Sequence, residues 1–490
     1  MMIYMPQRDS VIVKKKSSKL SQSLKKLLTS ALYILPVIFF MLCMFLLTAT
    51  EEDVAQGAGA SPNIWHDVVE SFEDNGRIAD MYARSVIDFF DYQYYFGVDT
   101  IFRLLDVLAL TSIPVLLSSI ILGRRPRWHI KDALVFAGCF LLIFLLPYGY
   151  TYYRGFSMVH NYAIISLTLL GFCLPFLRKI TGDRIPKIYQ NPIFAILIGL
   201  IFGISANFPP LAVLAVIILA KIWQLIKSRK SSKSHRVDWR VLKMEQWEGL
   251  MFGAMIAGMI FIYTFGPGVS GYLESPVYIE TYDYVAISDI FHNFGASCTR
   301  LISHAIKNFA RTFGPAIFIL ITTGLLAWLT QHKKVKTWHW LPKSADTRNV
   351  LLAILVFCVF STLCGMQIIM PVRLCLPAYL GLVIAIVILE KFWWRKASLA
   401  SSLALSGAMI TATIAVIAIR GFFSVTTYQR VGKALDYIKN SEQGNLCIVD
   451  TEVVSPYHTP WKIFQQEETF VNRGASVPQT FYGKSVIFCE

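Results

Sequence analysis

Glu51, Glu52 and Asp53 stand side by side where an apolar run ends, in the stretch LLTATEEDVAQ. Adjacent carboxylates at a membrane surface are candidates for general-base work, because a carboxylate can take the proton of a hydroxyl as that oxygen attacks carbon. The plainer reading is a solvated helix end. The same segment carries a second acidic pair, Glu73 and Asp74 in FEDNGR, and six further acids at Asp67, Glu70, Asp80, Asp88, Asp91 and Asp99. Solvation explains most of these singly. It does not explain their concentration here, since charge sorting across a membrane acts mainly on Lys and Arg.

Arg103 and Asp106 come next, three residues apart in an apolar run and so on one helix face. A charge inside a span costs about 2.5–3.5 kcal/mol on insertion scales, so it pairs or lines a cavity. A mutual pair and a place in a site are equally open readings. TYYRGFSMVHNY brings Arg154, His160 and Asn161 together with tyrosines, a composition for stacking on sugars or for an interfacial aromatic belt. TFGPGVSGYLESP holds Gly268 in a Gly-Pro-Gly stop whose exposed N–H groups could cradle an anion or simply turn the chain. Arg373, in MQIIMPVRLCLPAY, could bind a phosphate or snorkel.

Other chemistries find no support. The chain has no Walker motif, no nucleotide-binding GxGxxG, no HExxH and no GxSxG. Its cysteines show no CxxC and no zinc spacing; most lie in apolar runs as packing residues. Cys447 and Cys489 sit in the tail, where an oxidising compartment would allow them to join.

These residues need elements to hold them. The 490 residues are 55% hydrophobic and 16% charged, too apolar for a soluble enzyme of this length. The net charge of +15 is spread between apolar runs, which speaks for membrane orientation and against nucleic acid. About eleven runs reach spanning length, at roughly 30–50, 101–122, 132–149, 160–177, 193–206, 209–226, 248–267, 312–330, 350–369, 373–390 and 399–420. The first reads as an uncleaved span, being longer than a signal-peptide core. With eleven spans every basic loop falls on one side: the N-terminus, GRRPRWHIK, LRKITGDRIPK, the Lys221–Lys243 linker, QHKKVKTWHWLPK and EKFWWRK. That side is read as the cytoplasm. The count depends on splitting PIFAILIGLIFGISANFPPLAVLAVIILAK near Ala206–Pro210 into two short spans, the kind of broken pair that lines a cavity.

The expected layout is an all-α integral membrane protein. Residues 1–29 form a basic cytoplasmic N-terminus and 30–428 a polytopic domain with outer loops 51–100 and 266–311. Residues 429–490 form a small α/β outer segment, a helix over Val431–Asn440 followed by the β-like runs GNLCIVD, ETFVNRG and KSVIFCE.

Six stretches, taken in order, resemble the bacterial polytopic glycosyltransferases of the GT-C type, in a branch allied to O-antigen-modifying glucosyltransferases. They are the acidic cluster after the first span, FEDNGR, FSMVHNY, FGISANF, FGPGVSGYLES and MPVRLCLPAY. The resemblance implies a hexosyltransferase that takes sugar from a polyprenyl-phosphate donor and builds a cell-envelope glycan at the extracytoplasmic face of a bacterial inner membrane. It implies a first-loop carboxylate as base or as ligand of a divalent metal ion, which falls on Glu51, Glu52 or Asp53, with Glu73 and Asp74 as alternates. Arg103, Arg154 and Arg373, all at the outer membrane boundary, are candidates to hold the donor phosphate, with Asp106, His160, Asn161, Asn207 and Gly268 as further substrate-binding candidates. Adjacent aspartates in the family pattern are here Glu-Glu-Asp, and an acid expected at the mid-chain hairpin is replaced by Ala206 and Asn207. The partners implied are the lipid-linked donor, the glycan acceptor and membrane lipids. Two rival readings stand beside this one: a transporter or flippase of a lipid-linked or anionic substrate, and a non-enzymatic envelope-assembly protein.

Overall fold

The computed structural model describes residues 8–46, 69, 100–144, 156–206, 208–231, 243–265, 283–285, 287–331, 340–370, 372–394, 399–449, 479–481 and 484–489. Twelve helices run through them. The first four are α1 (Arg8–Phe45), α2 (Thr100–Leu122), α3 (Ile130–Phe144) and α4 (Phe156–Thr181). A short 3-10 turn at Lys187–Gln190 leads to α5 (Pro192–Ser205), α6 (Phe208–Ser231) and α7 (Gln246–Phe265). The series closes with α8 (Ile287–His292), α9 (Phe294–Gln331), α10 (Ala345–Cys364), α11 (Val372–Trp393) and α12 (Leu399–Asn440). Nine of them are long and apolar enough to cross a membrane. Two more expected spans, α3 with 15 residues and α5 with 14, are shorter. The chain is thus a multi-pass membrane protein whose membrane part is all-α.

Hydrogen bonds between elements sort the helix ends into two sets. At one end the Arg178 guanidinium donates to the Ser119 carbonyl and Lys391 Nζ to the Ile121 carbonyl, joining the last turns of α4 and α11 to that of α2. Lys179 pairs with Glu245 and Glu248 at the start of α7. Trp393 Nε1 donates to the Trp340 carbonyl before α10. This is the basic end. At the other, acidic end, the Arg103 guanidinium donates to the Met44 carbonyl and the Tyr379 hydroxyl to the Leu142 carbonyl. The segment rich in acids leaves and re-enters the bundle at this end, from α1 into α2.

The mid-chain break is a real reversal. Ala206 is extended, at φ −158° and ψ 152°, and ends α5. Asn191 caps the start of α5, its side chain accepting from the Ile193 and Phe194 amides, with Pro192 in the first turn. α5 lies parallel to α7 through Gly199 and Gly203, a small-xxx-small face. A Cβ at Gly199 would stand 2.2 Å from the Met251 carbonyl oxygen, and one at Gly203 would stand 2.3 Å from that of Met255. Only glycine allows this approach. α6 then returns toward the basic end.

α11 is the hub: 67% of its span is buried, and α2, α3, α4, α9 and α10 pack on it. α1 is keyed to α3 by Phe39, Phe40, Phe140 and Phe144, with Phe40 and Phe144 at 4.7 Å between ring centres. Edge-to-face pairs of this kind add about 0.5–1.5 kcal/mol beyond their buried area.

Two expected boundaries differ. The outer loop drawn over 266–311 is helical from Phe294 onward, because α9 carries straight through into its span. The helix expected at Val431–Asn440 is the end of α12, whose 42 residues run unbroken across the proposed 428/429 boundary. Neither 294–311 nor 431–440 contains a proline, and the polar residues in both keep a helical period.

Beyond α12 lie β1 (Asn445–Val449), β2 (Gln479–Phe481) and β3 (Lys484–Cys489), in the order β1-β3-β2. β1 and β3 are parallel, and β2 and β3 are antiparallel. The register sets Cys447 opposite Ile487 and Cys489 opposite Val449. The two cysteines are therefore offset by two residues on neighbouring strands, about 8 Å between Cα atoms by strand spacing, beyond the roughly 7 Å limit for a disulfide. The tail disulfide does not fit this register.

Candidate functional site

A buried polar cluster sits at the acidic end where α1, α2, α4 and α12 meet. His160 Nδ1 donates to Asp106 Oδ1 at 2.9 Å, with side chains 1% and 5% exposed. Arg103 and Asn161 are buried beside them. The second oxygen, Asp106 Oδ2, has no hydrogen-bond partner among the described residues. Of the two readings of Arg103 and Asp106, a mutual pair and a place in a site, the geometry departs from the first: Asp106 bonds across to α4, while Arg103 closes the last turn of α1. The helical spacing is right, but each side chain points to a neighbouring helix.

Arg420 on α12 is buried against the same end of α1 and was not among the candidates read from the sequence. It is 0% exposed, and its guanidinium reaches the Cys43 thiol, one residue before the carbonyl that Arg103 holds. Gly421 brings α12 onto Leu42 at the same level. Its signal was available in AVIAIRGFF: an arginine in an apolar run obeys the same insertion cost as Arg103.

The expected site residues divide as follows. Asp106 and His160 bond each other, and Arg103 and Asn161 are buried on the same two helices. Glu51, Glu52, Asp53, Glu73, Asp74, Arg154, Asn207 and Gly268 lie outside the described residues. Arg373 falls in the first turn of α11, and its side chain is likewise outside them. Glu51 follows Met44 by seven residues, which limits its chain reach from the Met44 carbonyl to about 25 Å.

A second polar assembly straps α9 to the turn between α10 and α11. His304 Nε2 lies 2.8 Å from Asp283 Oδ2, and its Nδ1 lies 3.2 Å from the Met366 carbonyl. Asn308 bonds the Gly365 and Ile368 carbonyls and accepts from the Met370 amide. Arg311 donates to the Met370 carbonyl at 2.7 Å. Asp283 also pairs with Arg300. The His304 and Arg300 hydrogen bonds hold the Asp283 carboxyl below the usual carboxylate range. The carbonyls of Gly365, Met366, Ile368 and Met370 in this tight turn each meet a side chain of α9, which makes the strap structural.

At the basic end, a cavity of about 560 Å³ opens between α4, α6, α10 and α11. Its mouth is polar, with Lys179, Lys221, Lys243, Gln224 and Asn349, and its depth is apolar. Glu248 at the rim is held by Lys179 and caps α7 by accepting from the Glu245 amide.

The chain matches no family model, no curated protein and no solved structure. Among the described residues no group of three His, Cys, Asp or Glu side chains could hold a metal ion. The acidic-end cluster does not fit a divalent cation: it offers one carboxylate and one imidazole, already bonded to each other, beside guanidinium groups.

Proposed function

We propose that this multi-pass membrane protein is a glycosyltransferase that takes a hexose from a polyprenyl-phosphate carrier and passes it to a cell-envelope glycan at its acidic end. On this reading the basic end and the N-terminus face the cytoplasm of a bacterial inner membrane, and the acidic loop and C-terminal segment face outward. The observation that carries the reading is the buried Asp106–His160 pair, flanked by Arg103, at the end of the bundle from which the acid-rich loop departs.

The chemistry asks for a base, for cation density and for dryness. A carboxylate among Glu51, Glu52 and Asp53 removes the acceptor hydroxyl proton as that oxygen bonds the sugar carbon. The bond from that carbon to the carrier phosphate breaks, and the phosphate leaves with the electron pair. Arg103, held in place by the end of α1, supplies positive charge where the leaving phosphate gathers negative charge. Asp106 fixes the ring of His160 through Nδ1, so that Nε2 is the nitrogen directed to the site.

The test is transfer of labelled sugar from a polyprenyl-phosphate donor in membranes, alongside envelope-glycan composition in cells lacking the protein. Glu52→Ala or Asp53→Ala should abolish transfer at unchanged membrane yield. Full activity in both variants, with an unchanged glycan profile on loss of the protein, sinks the reading. A second reading, movement of a lipid-linked or anionic substrate, draws on the cavity at the basic end. Its signature would be substrate flux across vesicles without any change in covalent bonding.

A further inference from the structure

We infer that the cavity at the basic end is a binding site for one membrane lipid with an anionic phosphate headgroup, its chain between the helices and its phosphate at the lysine mouth. Three observations converge on this. The volume, about 560 Å³, falls in the range of roughly 300–1,000 Å³ typical of small-molecule sites. The lining changes character with depth. Lys221, Lys243 and Gln224 stand at the mouth, and Leu169, Val213 and Phe357 lie furthest from it. The depth matches a leaflet: Leu169 to Lys179 is ten residues of α4, about 15 Å at helical rise, or half of a hydrocarbon core of about 30 Å.

The charge at the mouth selects the headgroup. Lys179 is committed to Glu245 and Glu248, at 2.6 and 2.9 Å. Among the described residues no carboxylate pairs with Lys221 or Lys243, so two ammonium groups at the rim await an anion. Gln224 and Asn349 add neutral donors beside them. A zwitterionic headgroup would bring its own cation against the two lysines, and a free phosphate would leave the apolar depth unfilled. An anionic phospholipid satisfies both halves. The site lies at the opposite end of the bundle from Asp106 and His160, so it stands whether or not the glycosyltransferase reading does.

The experiment is native mass spectrometry of the full chain released from nanodiscs of mixed phosphatidylcholine and phosphatidylglycerol, with stepwise delipidation. The wild type should retain one phosphatidylglycerol after other lipids have left. Lys221→Gln with Lys243→Gln should lower that retention by about tenfold or more. Ala353→Trp, which fills the cavity from α10, should do the same, with a thermal unfolding scan to show that it folds. Lys187→Gln, a charge loss at the same end but outside the cavity, should leave retention unchanged. Equal retention of phosphatidylcholine, retention unaffected by the double lysine variant, or displacement of the lipid by inorganic phosphate alone would each overturn the proposal.

Discussion

His304 lies 2.8 Å from Asp283 through Nε2 while its Nδ1 faces the Met366 carbonyl at 3.2 Å. His304 thus joins Asp283 to the α10–α11 turn through both of its ring nitrogens. Asp283 is on the acidic branch of this linkage. Its folded-state acidity is stronger than in the unfolded chain, through His304 first and Arg300 second. Its contribution to stability is therefore complete above the ordinary carboxylate pKa and fades as pH falls below about 4. Thermal unfolding of the detergent-solubilised chain should show a steeper loss between pH 6 and pH 3 for wild type than for Asp283→Asn. Asparagine tolerates the positive φ of 52° at this position, so the comparison isolates charge.

The Asp106–His160 pair should be strongly coupled. Removing one partner of a buried hydrogen-bonded pair leaves the other unsatisfied, at a cost of about 1–3 kcal/mol. His160→Ala and Asp106→Ala should each lower the unfolding midpoint, and the double variant should lose less than their sum. A coupling below about 0.5 kcal/mol in the double-mutant cycle would mean that the two side chains do not share their burial.

Gly199 and Gly203 should tolerate nothing larger. A Cβ at either meets a carbonyl oxygen of α7 at 2.2–2.3 Å, and backbone cannot step aside as a side chain does. Gly199→Ala or Gly203→Ala should destabilise by about 1–3 kcal/mol or more. Gly253→Ala, in α7 with nothing within 4 Å of its Cβ, should be neutral or slightly stabilising, since alanine favours the helix. Folded yield and unfolding midpoint read both.

Glu245 and Glu248 share Lys179 but differ in consequence. Glu245 has its side chain 55% exposed, while that of Glu248 is 10% exposed and accepts the Glu245 amide. Lys179 and the Trp247 indole hold Glu245 below the usual carboxylate range, yet an exposed pair contributes about 0–1 kcal/mol. Glu245→Ala should be nearly silent. Glu248→Ala, which removes both a buried partner and a helix cap, should cost about 1–3 kcal/mol in chemical unfolding.

The span pattern was legible because twenty apolar residues leave few alternatives to a crossing helix. The break after Ser205 was legible too, since Pro209 and Pro210 cannot continue a helix that ends on an extended Ala206. The front half of α9 was not. His304, Asn308 and Arg311 read as loop residues until they are placed on a helix, where they fall on one face and meet one turn. At the acidic end, the burial of Arg103, Asp106, His160 and Asn161 was easier to read from sequence than their pairing. Spacing alone joins Arg103 to Asp106. Only the packing of α2 against α4 brings His160 to Asp106, and only α12 brings Arg420 to Cys43. Such contacts between helices far apart in sequence leave no trace in local periodicity.

α12 runs without a turn from its first apolar residues to Asn440, five residues before the first strand. The stretch from Phe422 to Asn440 projects about 27 Å past the apolar span. It is a stiff pointer with its pivot in the bundle. A change in tilt of roughly 10° at the pivot would sweep the far tip through about 5 Å. Any rearrangement around the buried Arg420 is thus geared up before it reaches the small sheet, and a spectroscopic label on the last turn of α12 would read, at a distance, what happens at its root.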